Sequence, residues 1–321
     1  MDQKRVDPFM ESLEAVSVTD IRAGDTQKSK KNVAQTLIRL LVILVCLVIF
    51  IYSTVLLVER ITDYARSDEL YDSIASIWYS GETEGNNPFG KVQYSFKDYS
   101  KSKTYDMENS DKQSPGEVDI PETVADSDLM IRIKAKINAL KTQNKDIMGW
   151  ITVDNTVIDY PIVASVDNTF YLNHAFDGSF SKSGAIFADY RNEPNFDDNY
   201  NTVIYGHNLM SGMMFSDMDK FFTKSFFKNN RYFYIYTERG IYVYETFCIA
   251  KVSIRVDYTR TEFFDSNEFL EFVYAMKSRS VYKTDTEFTE NDRIVTLSTC
   301  TNAGNQAERY CLMAKLVEIR K

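Results

Sequence analysis

Nineteen consecutive residues, Leu40 to Val58 (LLVILVCLVIFIYSTVLLV), carry no charge. As a helix rising about 1.5 Å per residue they span about 28 Å, close to the hydrocarbon thickness of a bilayer. A core helix would show a polar face over so long a run. A cleaved leader would be followed by small residues, whereas Glu59-Arg60 comes next. The run therefore predicts one transmembrane helix. Lys28, Lys30, Lys31 and Arg39 precede it, while Arg60 and Arg66 follow among Glu59, Asp63, Asp68 and Glu69. The positive-inside tendency makes 1–39 a cytoplasmic tail and puts 59–321 outside the cell membrane.

Beyond the span, 59–80 can continue as helix. Residues 81–128 are polar, charged and poor in aliphatic side chains. They bury too little surface to fold alone, so 59–128 is expected to be a flexible extracellular spacer. A folded domain is expected over 129–321. Its first element is a helix with Leu129, Ile133, Ile137 and Leu140 on one face. Short strands are expected at Trp150–Val153 and Thr156–Tyr160 around the turn pair Asp154-Asn155, with Pro161 limiting the pairing that follows. More strands are expected at Thr202–Tyr205, Tyr232–Thr237, Ile241–Val252, Arg293–Cys300 and Arg309–Ile319. A short helix around Met214–Phe222 and another starting near Asp265 complete the pattern; Asp265 and Glu268 have capping-box spacing. Strands dominate, and many connections are too short for βαβ crossovers. That combination predicts a mainly antiparallel sheet closed into a barrel, with helices outside it. The aromatic content of 14% agrees with β structure. The net charge of −9 argues against nucleic acid as a partner and is explained by solubility.

Four cysteines (Cys46, Cys248, Cys300, Cys311) and two histidines (His174, His207) are present, with no CxxC pair. That is a weak basis for a metal site or a disulfide framework, and neither a metal nor a cofactor is expected. Cys300 ends the apolar strand IVTLSTC, His207 ends TVIYGH, and Arg309 opens the strand after Cys300. Strand ends present side chains with fixed geometry. A thiol is a poor nucleophile at neutral pH unless it ionises or has a base beside it. A histidine supplies that base and then acts as acid toward a leaving amine. An arginine stays charged and can stabilise a thiolate or an oxyanion. Each residue alone has a bland reading: Cys300 as a small core residue, His207 as a loop histidine, Arg309 as a surface cation. His174 competes as the base. Cys248 and Cys311 lie inside strand patterns, where packing is the default.

These residues lie in strings that resemble sortases: TLSTC at 296–300, NTVIYGHN at 201–208 and Arg309-Tyr310. NKDIMGWITVDNTVIDYPIV (144–163), DNTFYLNH (167–174), GAIFADYRN (184–192) and MMFSDMDKF (213–221) resemble class B sortases in particular. The resemblance covers about 129–321. It implies an eight-stranded sortase-type β-barrel with one helix before it and another between the sixth and seventh strands. It also implies a membrane-anchored cysteine transpeptidase, with Cys300 as nucleophile, His207 as acid/base and Arg309 as stabiliser of thiolate and oxyanion. Asn168, Leu172, Ser298 and Thr299 match groove residues that contact the sorting peptide, and His174 becomes structural. The implied partners are secreted proteins bearing a C-terminal sorting signal, cleaved after Thr and often of an Asn-Pro-x-Thr type. The acyl group passes to an amine from a peptidoglycan precursor or a pilin. The long spacer and the long N-terminal tail depart from the class B pattern, and Asn302 stands where an acidic residue is often seen. Asp197-Asp198 reads as a solvated loop rather than a calcium site. Residue types alone leave two alternatives open, a purely hydrolytic cysteine peptidase and a non-catalytic peptide-binding domain.

Overall fold

A computed structural model describes residues 18–80, 126–300 and 307–321. The first element, α1 (Val18–Trp78), is 61 residues long. Its section from Leu40 to Val58 exposes apolar side chains on every face, and this is the one helix among the described residues long and apolar enough to cross a membrane. The chain divides into two compact units, Met1–Ile61 and Thr62–Lys321.

The second unit is a closed barrel. Its strands are β1 (Ile147–Thr152), β2 (Asp159–Val163), β3 (Ile186–Ala188), β4 (Asn201–Tyr205), β5 (Tyr232–Tyr236), β6 (Ile241–Ser253), β7 (Ile294–Cys300) and β8 (Glu308–Arg320), in the spatial order β1-β2-β3-β4-β7-β8-β6-β5. Two neighbouring pairs, β2–β3 and β4–β7, are parallel and the others antiparallel. The expected eight-stranded, mainly antiparallel barrel is what forms. The Asp154-Asn155 turn joins β1 to β2, with Asn155 at φ 59°. Pro161 lies within β2 opposite Trp150, and pairing with β3 starts at Ile162, just past the missing N–H. The three-residue β3 carries no alternation and escapes a periodicity reading. The expected helix around Met214–Phe222 is a 3-10 helix, Ser216–Phe222, followed by a short α3 (Lys224–Asn229).

On β6, β7 and β8 both faces of the strands are buried. The inner one buries Tyr242, Tyr244, Val295, Leu297, Leu312 and Ala314 in the main core. The outer face of β6–β8, with Phe247, Cys248, Cys311 and Met313, is covered by α4 (Ser266–Arg279) through Phe269, Val273 and Met276. Asp265 caps α4 by accepting the Glu268 N–H at 2.9 Å. The reciprocal half of the capping box is displaced by one residue, because the Glu268 carboxylate takes the Phe264 N–H and pairs with Arg260. The helix expected before the barrel is α2 (Asp126–Lys141), burying Ile133, Ile137 and Leu140.

One boundary differs from the sequence reading. The folded unit begins at Thr62, not near residue 129. Ser67, Tyr71, Ile74 and Trp78 recur at helical spacing and are all buried. Trp78 stacks on Trp150 at 4.7 Å, and the Tyr79 hydroxyl donates to Asp159 at 2.7 Å. Charged neighbours mask this narrow apolar face in the composition of 59–80, so the expected spacer fails to include its first part. The rest of it, 81–125, lies outside the described residues.

Candidate active site

The ladders of β4, β7 and β8 carry the three expected catalytic residues to one end of the barrel. In the antiparallel β7–β8 pair, Cys300 lies directly opposite Arg309. In the parallel β4–β7 pair, Tyr205 aligns with Ser298, and the Gly206 N–H continues the pairing to the Ser298 carbonyl at 3.2 Å. His207 and Cys300 each stand two residues past that aligned pair, His207 just beyond the end of β4. The segment 301–306, with Asn302, lies outside the described residues.

His207 is half-buried and held from two sides. Its Nε2 lies 2.6 Å from the Leu172 carbonyl oxygen. A carbonyl only accepts, so Nε2 carries a proton, and Nδ1 is the nitrogen that gains or loses one. Its own carbonyl accepts the Phe215 N–H at 2.9 Å. Two glycines make this packing feasible. At Gly184, with φ 61°, a Cβ would fall 2.6 Å from the Tyr171 carbonyl oxygen, 2.9 Å from that of Leu172 and 3.1 Å from His207 Cδ2. At Gly206 it would strike Ile186 and Phe215. Arg309 is half-buried and donates to the Glu308 carbonyl at 2.9 Å.

The four expected groove residues differ in state. Leu172 is exposed beside His207. Asn168 donates to the Asp189 carboxylate at 3.0 Å and accepts the Tyr190 N–H at 3.1 Å. Ser298 is buried and shares a 2.8 Å hydrogen bond with the Tyr258 hydroxyl. Thr299 is buried, and its hydroxyl has no partner among the described residues.

Asp189 is a residue that motif reading passed over, although it lies in the string GAIFADYRN. It is buried just after β3 and gathers Arg191 Nε and Nη2, the Tyr205 hydroxyl at 2.8 Å and the Asn168 amide. Burial works to raise its carboxyl, but the bonds from Arg191 and Tyr205 prevail and hold it below the usual carboxylate range. Burial, then the Asp189 charge, pushes Tyr205 up, so its phenol stays a donor. Asp189 thus ties Asn168 on one side to β4, two residues before His207, on the other. A D-x-R pair after a short apolar run was the available signal.

The remaining candidates stand apart. His174 stacks on Phe170 at 4.0 Å, its Nδ1 2.8 Å from the Phe170 carbonyl oxygen. Burial pushes the Cys248 thiol up to about 12 and the Cys311 thiol well above its ordinary value, which suits packing rather than nucleophilic work. The Asp197 carboxylate accepts from Tyr242 and that of Asp198 from Asn195. No cluster of metal-ligating side chains occurs among the described residues.

Known proteins share this sequence pattern and this fold. The family model described as the sortase domain matches residues 151–317. Sortase B of Listeria monocytogenes is 37% identical over 186 residues, covering 58% of this chain and 75% of that one. A mutant form of Clostridium perfringens sortase B superposes with a TM-score of 0.56 at 31% identity, covering 60% of this chain and 91% of that structure. A Staphylococcus aureus sortase B–substrate complex gives 0.55 at 31%, with the same coverage. The barrel order, the helix between β6 and β7 and these matches lead to one conclusion: the chain belongs to the sortase family, in its class B branch, and is a sortase-type cysteine transpeptidase.

Proposed function

We propose that this transpeptidase anchors secreted surface proteins by cleaving a C-terminal sorting signal after Thr. The Cys300 thiolate attacks the Thr carbonyl carbon, and the oxyanion that forms is stabilised by Arg309. The scissile C–N bond then breaks as His207 delivers a proton from Nδ1 to the departing amine, leaving a thioester on Cys300. An incoming amine, from a peptidoglycan precursor or a pilin, loses a proton to the same nitrogen and attacks the thioester. A new amide forms and the thiolate is released. The observation that carries this reading is that Cys300 faces Arg309 across the β7–β8 ladder, while β4, parallel to β7 up to Tyr205 beside Ser298, leads directly into His207.

Asn168, Leu172, Ser298 and Thr299 line the peptide groove in this reading. The orphan buried hydroxyl of Thr299 supports its part, since an unsatisfied buried donor costs about 1–3 kcal/mol and a bound peptide can satisfy it. Leu40–Val58 anchors the chain as a single span, with the N-terminus cytoplasmic and the catalytic unit outside. An Asn-Pro-x-Thr peptide, the type that the class B resemblance implies, serves as the probe for the signal.

The test is product analysis by mass spectrometry. Full-length enzyme is incubated with an Asn-Pro-x-Thr peptide, with and without an amine acceptor such as a pentaglycine or a lysyl peptide. A ligated product that grows with acceptor supports transpeptidation. Hydrolysis alone at saturating acceptor overturns it in favour of a peptidase.

A further inference from the structure

The half of the catalytic end that holds His207 leans on the helix leaving the apolar span. Three contacts join them. Asp63 accepts the Lys182 N–H at 2.9 Å, the Ser67 and Ser181 hydroxyls lie 2.6 Å apart, and the buried Tyr71 hydroxyl donates to the Gly184 carbonyl at 3.0 Å. Gly184 is the residue packed against the Tyr171 and Leu172 carbonyls and against His207 itself. The Ala185 N–H bonds the Tyr171 carbonyl at 3.0 Å, closing the same wall. The strap 181–185 is therefore clamped between α1 and the carbonyl that orients His207.

Tyr71 reaches His207 by a second route. Its ring meets Tyr160 edge-on at 5.3 Å. The Tyr160 hydroxyl oxygen accepts the Met214 N–H at 3.2 Å. Met214 sits at φ 58°, buried, a conformation a side chain adopts only when its surroundings hold it. The next N–H, of Phe215, bonds the His207 carbonyl. One side chain thus braces the imidazole through Leu172 and its backbone through Met214-Phe215.

We propose that Tyr71 is a positioning residue for His207, fixing the Nε2–H tautomer and the aim of Nδ1. The helix that emerges from the membrane is then a working part of the active site rather than a tether. The inference rests on the reading of His207 as acid/base, but its test does not.

The experiment uses full-length protein in nanodiscs with 15N-labelled histidine. Two histidines occur in the chain, and His174→Gln assigns the signals. Wild type is expected to show neutral His207 protonated at Nε2. Tyr71→Phe keeps the ring on Tyr160 and removes the hydroxyl. It is expected to give mixed tautomers, to displace the pH–rate limb that reports His207, and to lower kcat about five- to tenfold with KM for an Asn-Pro-x-Thr peptide nearly unchanged. Ile74→Val, on the same buried helix face, serves as the packing control and is expected to lower Tm without moving the His207 signals. Unchanged His207 signals in Tyr71→Phe, or an equal change in Ile74→Val, overturn the proposal. Separately, activity surviving His207→Gln would sink the acid/base reading while leaving the tautomer result standing.

Discussion

The catalytic end has two halves that are built differently. On the β7–β8 side, Cys300 and Arg309 are direct ladder partners, set by seven consecutive register pairs from Ile294 to Cys300. On the β2–β3 side, the wall facing His207 is the long connection between Val163 and Ile186, which holds only the short 3-10 helix Phe170–Leu172. Asp167 organises it by accepting the Phe170 and Thr169 N–H groups, which hold its carboxyl below the usual range. Asn144 ties it down by donating to Tyr171 and to the Phe176 carbonyl. A ladder distributes position over many backbone bonds, and no one side chain decides it. A loop concentrates position in a few side-chain contacts. The cysteine and arginine therefore depend on fold stability, whereas the histidine depends on particular supports.

The largest effect should come from the ladder side, which holds the proposed nucleophile. Cys300→Ala is expected to remove turnover of an Asn-Pro-x-Thr peptide while leaving the far-UV spectrum and Tm near wild type. Retained turnover would break the assignment. Arg309→Lys keeps charge but loses the planar fork, and should lower kcat about 10²-fold; the drop is read in steady-state kinetics.

On the loop side, Gly184→Ala forces a Cβ into the Tyr171 and Leu172 carbonyls at positive φ. A cost of about 1–3 kcal/mol in stability is expected, seen in urea unfolding. A larger loss of kcat should accompany it, because the displaced atoms include the His207 acceptor. Equal behaviour of Gly178→Ala would erase the distinction, since nothing lies within 4 Å of a Cβ there.

Asp189→Asn comes next. Asp189 is buried, but its Arg191 partner is about one-third exposed, so about 2–3 kcal/mol is expected, below the range for a fully buried pair. The sign with pH follows from the lowered folded pKa. The contribution is present above the unfolded value of about 3.9 and is lost as pH falls through the lower folded value. Wild type and Asp189→Asn should differ in Tm at pH 7 and converge only once pH has fallen below the lowered folded value. The smallest effect should be that of Cys311→Ala, which trims the α4-covered face and leaves kcat unchanged.

Legibility in the sequence follows the same division. The ladder half was readable because apolar alternation ending in Cys300, and a strand opening at Arg309, are local patterns. The barrel and the helices at 126–141 and 266–279 were readable for the same reason. The Asp189 network was not, because Asn168, Arg191 and Tyr205 meet through β2–β3 and β3–β4 contacts that no local period encodes. Tyr71 was hidden for a related reason. It belongs to a stripe of four buried residues on a charged helix, and its partner, Gly184, lies 113 positions away. Ser298 and Thr299 were identified by position, but the Ser298 partner, Tyr258, lies 40 positions away in the outer-face cluster.

The claim that most needs testing is that one cysteine, at the end of β7, carries the acyl group. Full-length enzyme would be incubated with an Asn-Pro-x-Thr peptide without acceptor, quenched in acid, digested and mapped by mass spectrometry. The account predicts a hydroxylamine-sensitive acyl adduct on the peptide containing Cys300 and none on Cys46, Cys248 or Cys311. An adduct on another residue, or peptide cleavage by Cys300→Ala at the wild-type rate, would contradict it.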